Sequence, residues 1–474
     1  MAKTTAELLA AEAKALTFRK LPPEVVHEVK RSMLDTLGCG FGGYPTQPTQ
    51  IVQSMIEEMN GPAESTVFGS GLKTSCLNAT LANGVMVRYY DYGSICYLTK
   101  EALVSAGHHS ESIPPIIAVG ERQHSTGQEV ITAVVLAYEL MNKVFDSVPG
   151  YNGVLDKCGF VHETMRTPCI MALVAGKLLG LDEEQMANAL VVAGGFNLEL
   201  GIMYCGEEEV TMTRNLRFPY GAYNGILGAF LARKGFKGPL NAFEGHNGFA
   251  EVVTGGKIDL EKLGQPREGW TIQNTWIKRF AAGGAMNGLL EATLTLVTEH
   301  DIRPEDVAEV RIKTTPHSCR ILANPETRRY PKTTFTADHS SYYCTALAIL
   351  DRAVGPDQFS DEKLRDPRVR ELSGKIFIEP DPSPRYDKYT SPGLVEITTK
   401  KGQKYQHEVL LPKGHPMNPM TDADIEEKFR SMAGKYFSEK QMMQIIDTVY
   451  NLEKLDDIGD LAKLLVFPGQ DKGK

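Results

Sequence analysis

The chain has no CxxC pair and no apolar stretch long enough to cross a bilayer as a helix. Its eight cysteines, Cys39, Cys76, Cys96, Cys158, Cys169, Cys205, Cys319 and Cys344, are scattered. That scatter speaks against a disulfide framework or a paired-cysteine zinc site, and reads as reduced thiols in a cytoplasmic protein. An excess of basic residues is missing too. The formal net charge is −8, and binding to a nucleic-acid backbone needs a basic face. The opening MAKTTAELLAAEAKAL carries Lys3 and Glu7 and lacks an apolar core of signal-peptide length, so no secretion signal is expected. There is no Walker loop, no GxGxxG after a strand, no HExxH and no GxSxG elbow. Nucleotide, zinc-hydrolase and acyl-transfer chemistry therefore lack a motif, and neither a metal nor a cofactor is expected.

What remains is a globular composition. At 474 residues with 42% hydrophobic, the chain can bury a large core, and two domains are expected. Helical periodicity runs through the first half. After Leu21-Pro-Pro-Glu, the residues Val25, Val26, Val29, Met33 and Leu37 share one face, with proline near the start, where its missing N–H does no harm. Further helices are predicted over 130–144, 167–181, 183–196 and 221–233. From about residue 271 the pattern changes to period two, in VAEVRIKT from Val307, KIFIE from Lys375 and VEITT from Val395. Lys401-Gly-Gln is a turn and 405–411 a returning strand. After residue 412 helices are predicted again. The expected class is mainly α with α+β. It has a large all-helical domain over 1–270, completed by 413–465, and a smaller α+β domain with an antiparallel sheet over 271–412.

Four places carry groups capable of chemistry. Asp91 stands among tyrosines in VRYYDYGS; it reads either as a helix cap or as a buried acid needing a partner. His108 and His109 precede Ser110 and Ser112, either of which can cap a helix starting near Pro114. They read as loop histidines or as groups at an anion-attracting helix start. His162, in CGFVHET, reads as structural or as a site group. Arg214 and Arg217 precede a helix and suit either bidentate carboxylate recognition or an ordinary salt bridge.

Taken in order, NGVMVRYYDYGS, GHHSESIPPIIAVGE, KLLGLDEEQMANAL, GFKGPLNAFEGHNGF, IKRFAAGG and GHPMNP resemble the MmgE/PrpD family along almost the whole chain. The resemblance implies a helical domain plus a smaller α+β domain, usually as a homodimer. It also implies a cofactor-independent lyase, of hydro-lyase type, acting on a small di- or tricarboxylate by removing a proton next to a carboxylate. Epimerisation, decarboxylation and carboxylate binding without turnover are the alternatives. Carried over residue by residue, it makes Asp91, His108, His162, Lys278 and Tyr330 the catalytic candidates, and Arg214 and His109 substrate-binding ones. Arg214 falls where the family has lysine. A histidine often found after the segment around Lys278 has no clear counterpart. Arginine can clamp a carboxylate but cannot act as a base, so the reaction could differ from methylcitrate dehydration.

Overall fold

The computed structural model describes residues 2–161, 163, 166–203, 209–265, 269–323 and 326–469. The predicted helices form at Pro23–Gly43, Gly127–Asp146, Arg166–Leu178, Glu183–Gly195 and Arg217–Arg233. Local chemistry fixes several ends. Thr126 caps Gly127–Asp146, and its Glu129 reaches back to the cap in a reciprocal pair. Asp182 and Gln185 do the same for Glu183–Gly195.

These helices bury one continuous apolar core. It includes Val29, Leu37, Val134, Leu140, Ile170, Leu190 and Ile226. Ile425, Phe429, Ile445 and Leu461, from the helices Asp422–Ala433, Glu439–Tyr450 and Gly459–Leu464, belong to the same core. Small residues make that junction close. A side chain at Gly38 would meet the Phe429 backbone at 3.2 Å, so LGCGFGG presents a face on which Asp422–Ala433 can lie.

A second core holds the other part, with Leu289, Val310, Ile312, Leu347, Ile376, Val395 and Ile397. Its four-stranded sheet has the order Ile376–Pro380, Val307–Thr314, Gly393–Thr399, Lys404–Val409. Burial alternates along Gly393–Thr399, as a sheet covered on one face requires. The helices Asn287–Glu299 and Ser341–Leu350 contribute Leu289, Leu290, Leu347 and Ile349 to this core.

The structure corrects the expected sheet. Val307–Thr314 pairs parallel with Ile376–Pro380 and antiparallel with Gly393–Thr399, so the sheet is mixed. A parallel neighbour needs a long crossover, and residues 315–375 supply it with helices. The first half also contains short strands that periodicity did not reveal. Ile95–Tyr97 pairs with Ser105–Gly107 and with Thr275–Trp276. Runs of two or three residues are too short to show alternation.

Candidate functional site

Asp91 lies at the junction of the two cores. Helix Cys76–Arg88 ends three residues before it, and the flanking tyrosines fasten the turn to the α+β part. Tyr89 meets Phe335 edge-on at 5.4 Å, Tyr90 lies 6.4 Å from Phe359, and Tyr92 donates to the Arg279 carbonyl at 3.3 Å. The turn is thereby buried, and Asp91 is 3% exposed. Such a carboxylate needs compensation. Lys278 Nζ lies 3.1 Å from Oδ1, Arg88 Nη1 3.3 Å from Oδ1, and Lys278 also donates to the Asp91 carbonyl. Burial pushes the Asp91 carboxyl up, but Lys278, His339, His108 and Arg88 together outweigh it and hold the group well below the usual carboxylate range. Burial lowers the Lys278 ammonium, and Asp91 opposes that shift.

Two imidazoles converge on this carboxylate from opposite sides of the junction. His108, from the helical part, has Nε2 3.5 Å from Asp91 Oδ1 and Nδ1 3.2 Å from the Ser94 carbonyl. His339, from the α+β part, has Nε2 3.7 Å from Asp91 Oδ2 and Nδ1 2.5 Å from Asp338 Oδ1. At His108 an oxygen acceptor meets Nδ1, which favours the proton there and leaves Nε2 as the basic nitrogen, whereas His339 Nδ1 also has Arg214 Nη1 at 3.1 Å. Burial and the neighbouring Arg88 push the His108 imidazolium well below the ordinary value of 6.5, against the pull of Asp91. Behind them, Arg88 Nε lies 3.1 Å from Glu111, whose carboxyl burial raises to about 7 despite that arginine.

Asp91, His108 and His339 line one cavity of about 240 Å³, together with His317, Gly283 and Gly284. A larger hollow, about 460 Å³, lies among Val191, Phe196, Phe236 and Phe249, and its lining is mostly apolar. Among the described residues, no group of three or more His, Cys, Asp or Glu is placed to hold a metal ion.

The sequence-derived candidates divide. Asp91 and His108 meet in the cavity, and Lys278 touches Asp91 from behind while being fully buried itself. His162 lies outside the described residues. Arg214 is not at the cavity wall. Its guanidinium forks onto Asp338, at 2.9 and 2.7 Å, and donates to the Phe335 and Tyr89 carbonyls. The carboxylate it grips belongs to the protein. His109 turns inward, with Nε2 2.8 Å from Asn142 Oδ1 and its ring against Tyr138. Ser112 stands at the start of helix Ile113–Gln123, but its hydroxyl donates to the His109 carbonyl rather than capping. Tyr330 lies under Arg370, whose guanidinium is 4.3 Å from its ring, and borders a different hollow. His339 was missed, along with Arg88, Glu111 and Asp338. The signal for His339 was present in TADHSS: an Asp–His pair just ahead of Ser340, which caps the helix Ser341–Leu350.

Comparison with known proteins matches two family domains to the chain. Residues 7–261 match the MmgE/PrpD N-terminal domain and residues 280–452 the MmgE/PrpD C-terminal domain. The human protein named cis-aconitate decarboxylase is 25% identical, covering 99% of this chain and 96% of its own. Cis-aconitate decarboxylase of Aspergillus terreus is 26% identical, covering 96% and 94%. The mitochondrial 2-methylcitrate dehydratase of Yarrowia lipolytica is 25% identical, covering 90% and 84%. With both halves matched and the two cores meeting at Asp91, the chain belongs to the MmgE/PrpD family of enzymes.

Proposed function

We propose that this enzyme is a hydro-lyase that removes a proton next to a carboxylate of a small di- or tricarboxylate, without a cofactor. One observation carries the reading: two imidazoles from different parts of the fold present Nε2 to one buried carboxylate within a single cavity. Elimination needs a base for the carbon-bound proton and an acid for the departing hydroxyl, and two proton carriers on separate elements supply both. His108, held neutral by burial, is the base. His339 in its protonated form is the acid, and Asp338, gripped by Arg214, orients it. Lys278 and Arg88 keep Asp91 ionised, and Asp91 stabilises whichever imidazole is protonated.

Loss of carbon dioxide, with the electron pair of the broken bond left on carbon and then protonated by an imidazolium, is the second reading, favoured by relatives named cis-aconitate decarboxylase that span nearly the whole chain. Incubating candidate acids in D₂O and following products by NMR separates the two. Water loss, with deuterium exchange at a carbon next to a carboxylate, is the expected result. Release of carbon dioxide from the substrate replaces the first reading with the second. Neither product nor exchange across citrate-type and succinate-type acids sinks both.

We also propose a homodimer. The supporting feature is a run of exposed apolar side chains on the helical part, including Phe196 at 89% and Ile202 at 73%. Sedimentation equilibrium should give twice the chain mass, and a monomer at micromolar concentration contradicts it.

A further inference from the structure

A hollow of about 590 Å³ opens on the α+β part, and among the described residues none lines both it and the Asp91 cavity. Four of its side chains are cations. Arg329 and Lys332 lie on the loop before Thr334–Ala337, Arg365 ends the helix Asp361–Arg365, and Arg370 lies in the helix Pro367–Gly374. The one carboxylate on this wall, Asp366, is taken by Arg368 through two bonds, at 3.1 and 2.7 Å. In a chain of net charge −8, the hollow is a local reversal of sign.

Arg365 has a partner in Asp361, at 3.2 Å. Among the described residues the other three cations have no carboxylate of their own. Arg329 donates to the carbonyls of Ser373 and Ile376, at 2.7 and 2.8 Å, and lies 4.0 Å above the Tyr342 ring. It is thereby held in place before any ligand arrives, which lowers the entropy cost of gripping one. Arg370 lies over the Tyr330 ring, and Lys332 is exposed. Glu209 is the nearest acid to that loop, but it accepts from the Lys332 backbone N–H and the Thr333 hydroxyl, both at 3.3 Å. A single surface arginine ordinarily faces only water. Three unpaired cations on one concave wall repel one another, and an anion among them removes that cost.

We propose that this hollow binds a phosphate-bearing anion. A phosphate head carries a charge of about −1.5 to −2 and three acceptor oxygens, so it can meet cations arriving from separate elements. A carboxylate offers one charge in one plane, which suits a single fork. Tyr330 and Leu364 give an organic body an apolar bed. The loop that carries Arg329 and Lys332 runs on to His339, and the Ser340 hydroxyl donates to the Arg328 carbonyl. Binding therefore restrains the segment on which that imidazole stands.

The probes are pyrophosphate and ADP, each titrated without metal into the full chain at constant ionic strength. Calorimetry should show a site of millimolar affinity or tighter. Hydrogen exchange should slow in peptides covering 328–340 and 364–374. The double variant Lys332→Gln/Arg370→Gln removes two exposed cations that make no salt bridge, and binding should weaken about tenfold or more, as expected for losing charge-assisted hydrogen bonds. The control Lys401→Gln/Lys404→Gln removes two exposed charges at the opposite edge of the sheet and should leave binding unchanged. ADP binding tighter than pyrophosphate identifies a nucleotide, and pyrophosphate binding as well or better identifies the phosphate head alone. No heat and no protection with either probe at millimolar concentration overturns the site. Binding that survives the double variant, or an equal loss in the control, overturns it as well. Citrate displacing pyrophosphate at equal concentration, with the same peptides protected, overturns the phosphate assignment.

Discussion

At the scale of single residues, the site is a problem of buried charge. Arg214 supplies two hydrogen bonds to Asp338, so Arg214→Met leaves a buried carboxylate without its principal cation. We expect a loss of about 3–5 kcal/mol in denaturant unfolding. Arg214→Lys keeps the charge and loses the fork, and turnover should fall more than substrate binding, since Asp338 then holds His339 less firmly. A KM that rises while kcat holds would restore Arg214 to the role of substrate clamp. Titration gives a second check. His108 is held below 6.5, so kcat/KM of the free enzyme should stay flat as pH falls through that value and drop only at lower pH. Glu111 is the opposite case. Its folded value is about 7 against an ordinary 4.5, so the native state binds more protons between the two and its stability declines as pH rises across that window. Glu111→Gln should remove this part of the slope, read from denaturant midpoints at several pH values. The sequence disclosed Asp91 because three tyrosines around an acid imply burial. It disclosed the chemistry of Arg214 as well, a carboxylate grip, but the identity of the carboxylate depends on Asp338, which lies 124 residues away. No local pattern carries that.

At the scale of elements, the helices were the most legible part, because periodicity and capping chemistry agree in segments such as Gly127–Asp146. The register of strand pairing was not. Val307–Thr314 announces itself as a strand, yet which neighbours it takes is settled by the crossover through 315–375. Helix Asn287–Glu299 meets the sheet through another signal that sequence alone hides. A side chain at Gly288 would lie 2.0 Å from the Ser391 carbonyl oxygen, so the helix and the chain entering Gly393–Thr399 touch backbone to backbone. Gly288→Ala must push them apart, and a destabilisation of about 1–3 kcal/mol is expected. Gly153, within helix Tyr151–Lys157, has nothing within 4 Å of the same added atom. Gly153→Ala should instead stabilise by up to about 1 kcal/mol, through helix propensity. Calorimetry of the two variants should move the melting temperature in opposite directions.

At the scale of the whole molecule, we propose that the chain divides into a helical domain over 1–270, completed by 413–465, with the α+β domain over 271–412 inserted. The shared apolar core of Phe41, Phe429 and Phe437 supports that division. One buried side chain ties the arrangement to the site. Lys428, in helix Asp422–Ala433, lies 2.6 Å from Asp35 and donates at 2.9 Å to the carbonyls of both Tyr92 and Lys278. Those two residues adjoin Asp91 in sequence or touch it in space. The ammonium that holds them together stands 336 residues after one and 150 after the other. In a chain made from its N-terminus, the helical half and the sheet can both be present while the proton-transfer group is still unassembled. A ribosome-stalled chain of which residues up to 412 have left the exit tunnel should therefore contain folded sheet and yet have no reactive cavity. Activity should begin only once residues 422–433 have emerged and Lys428 has closed the junction from behind.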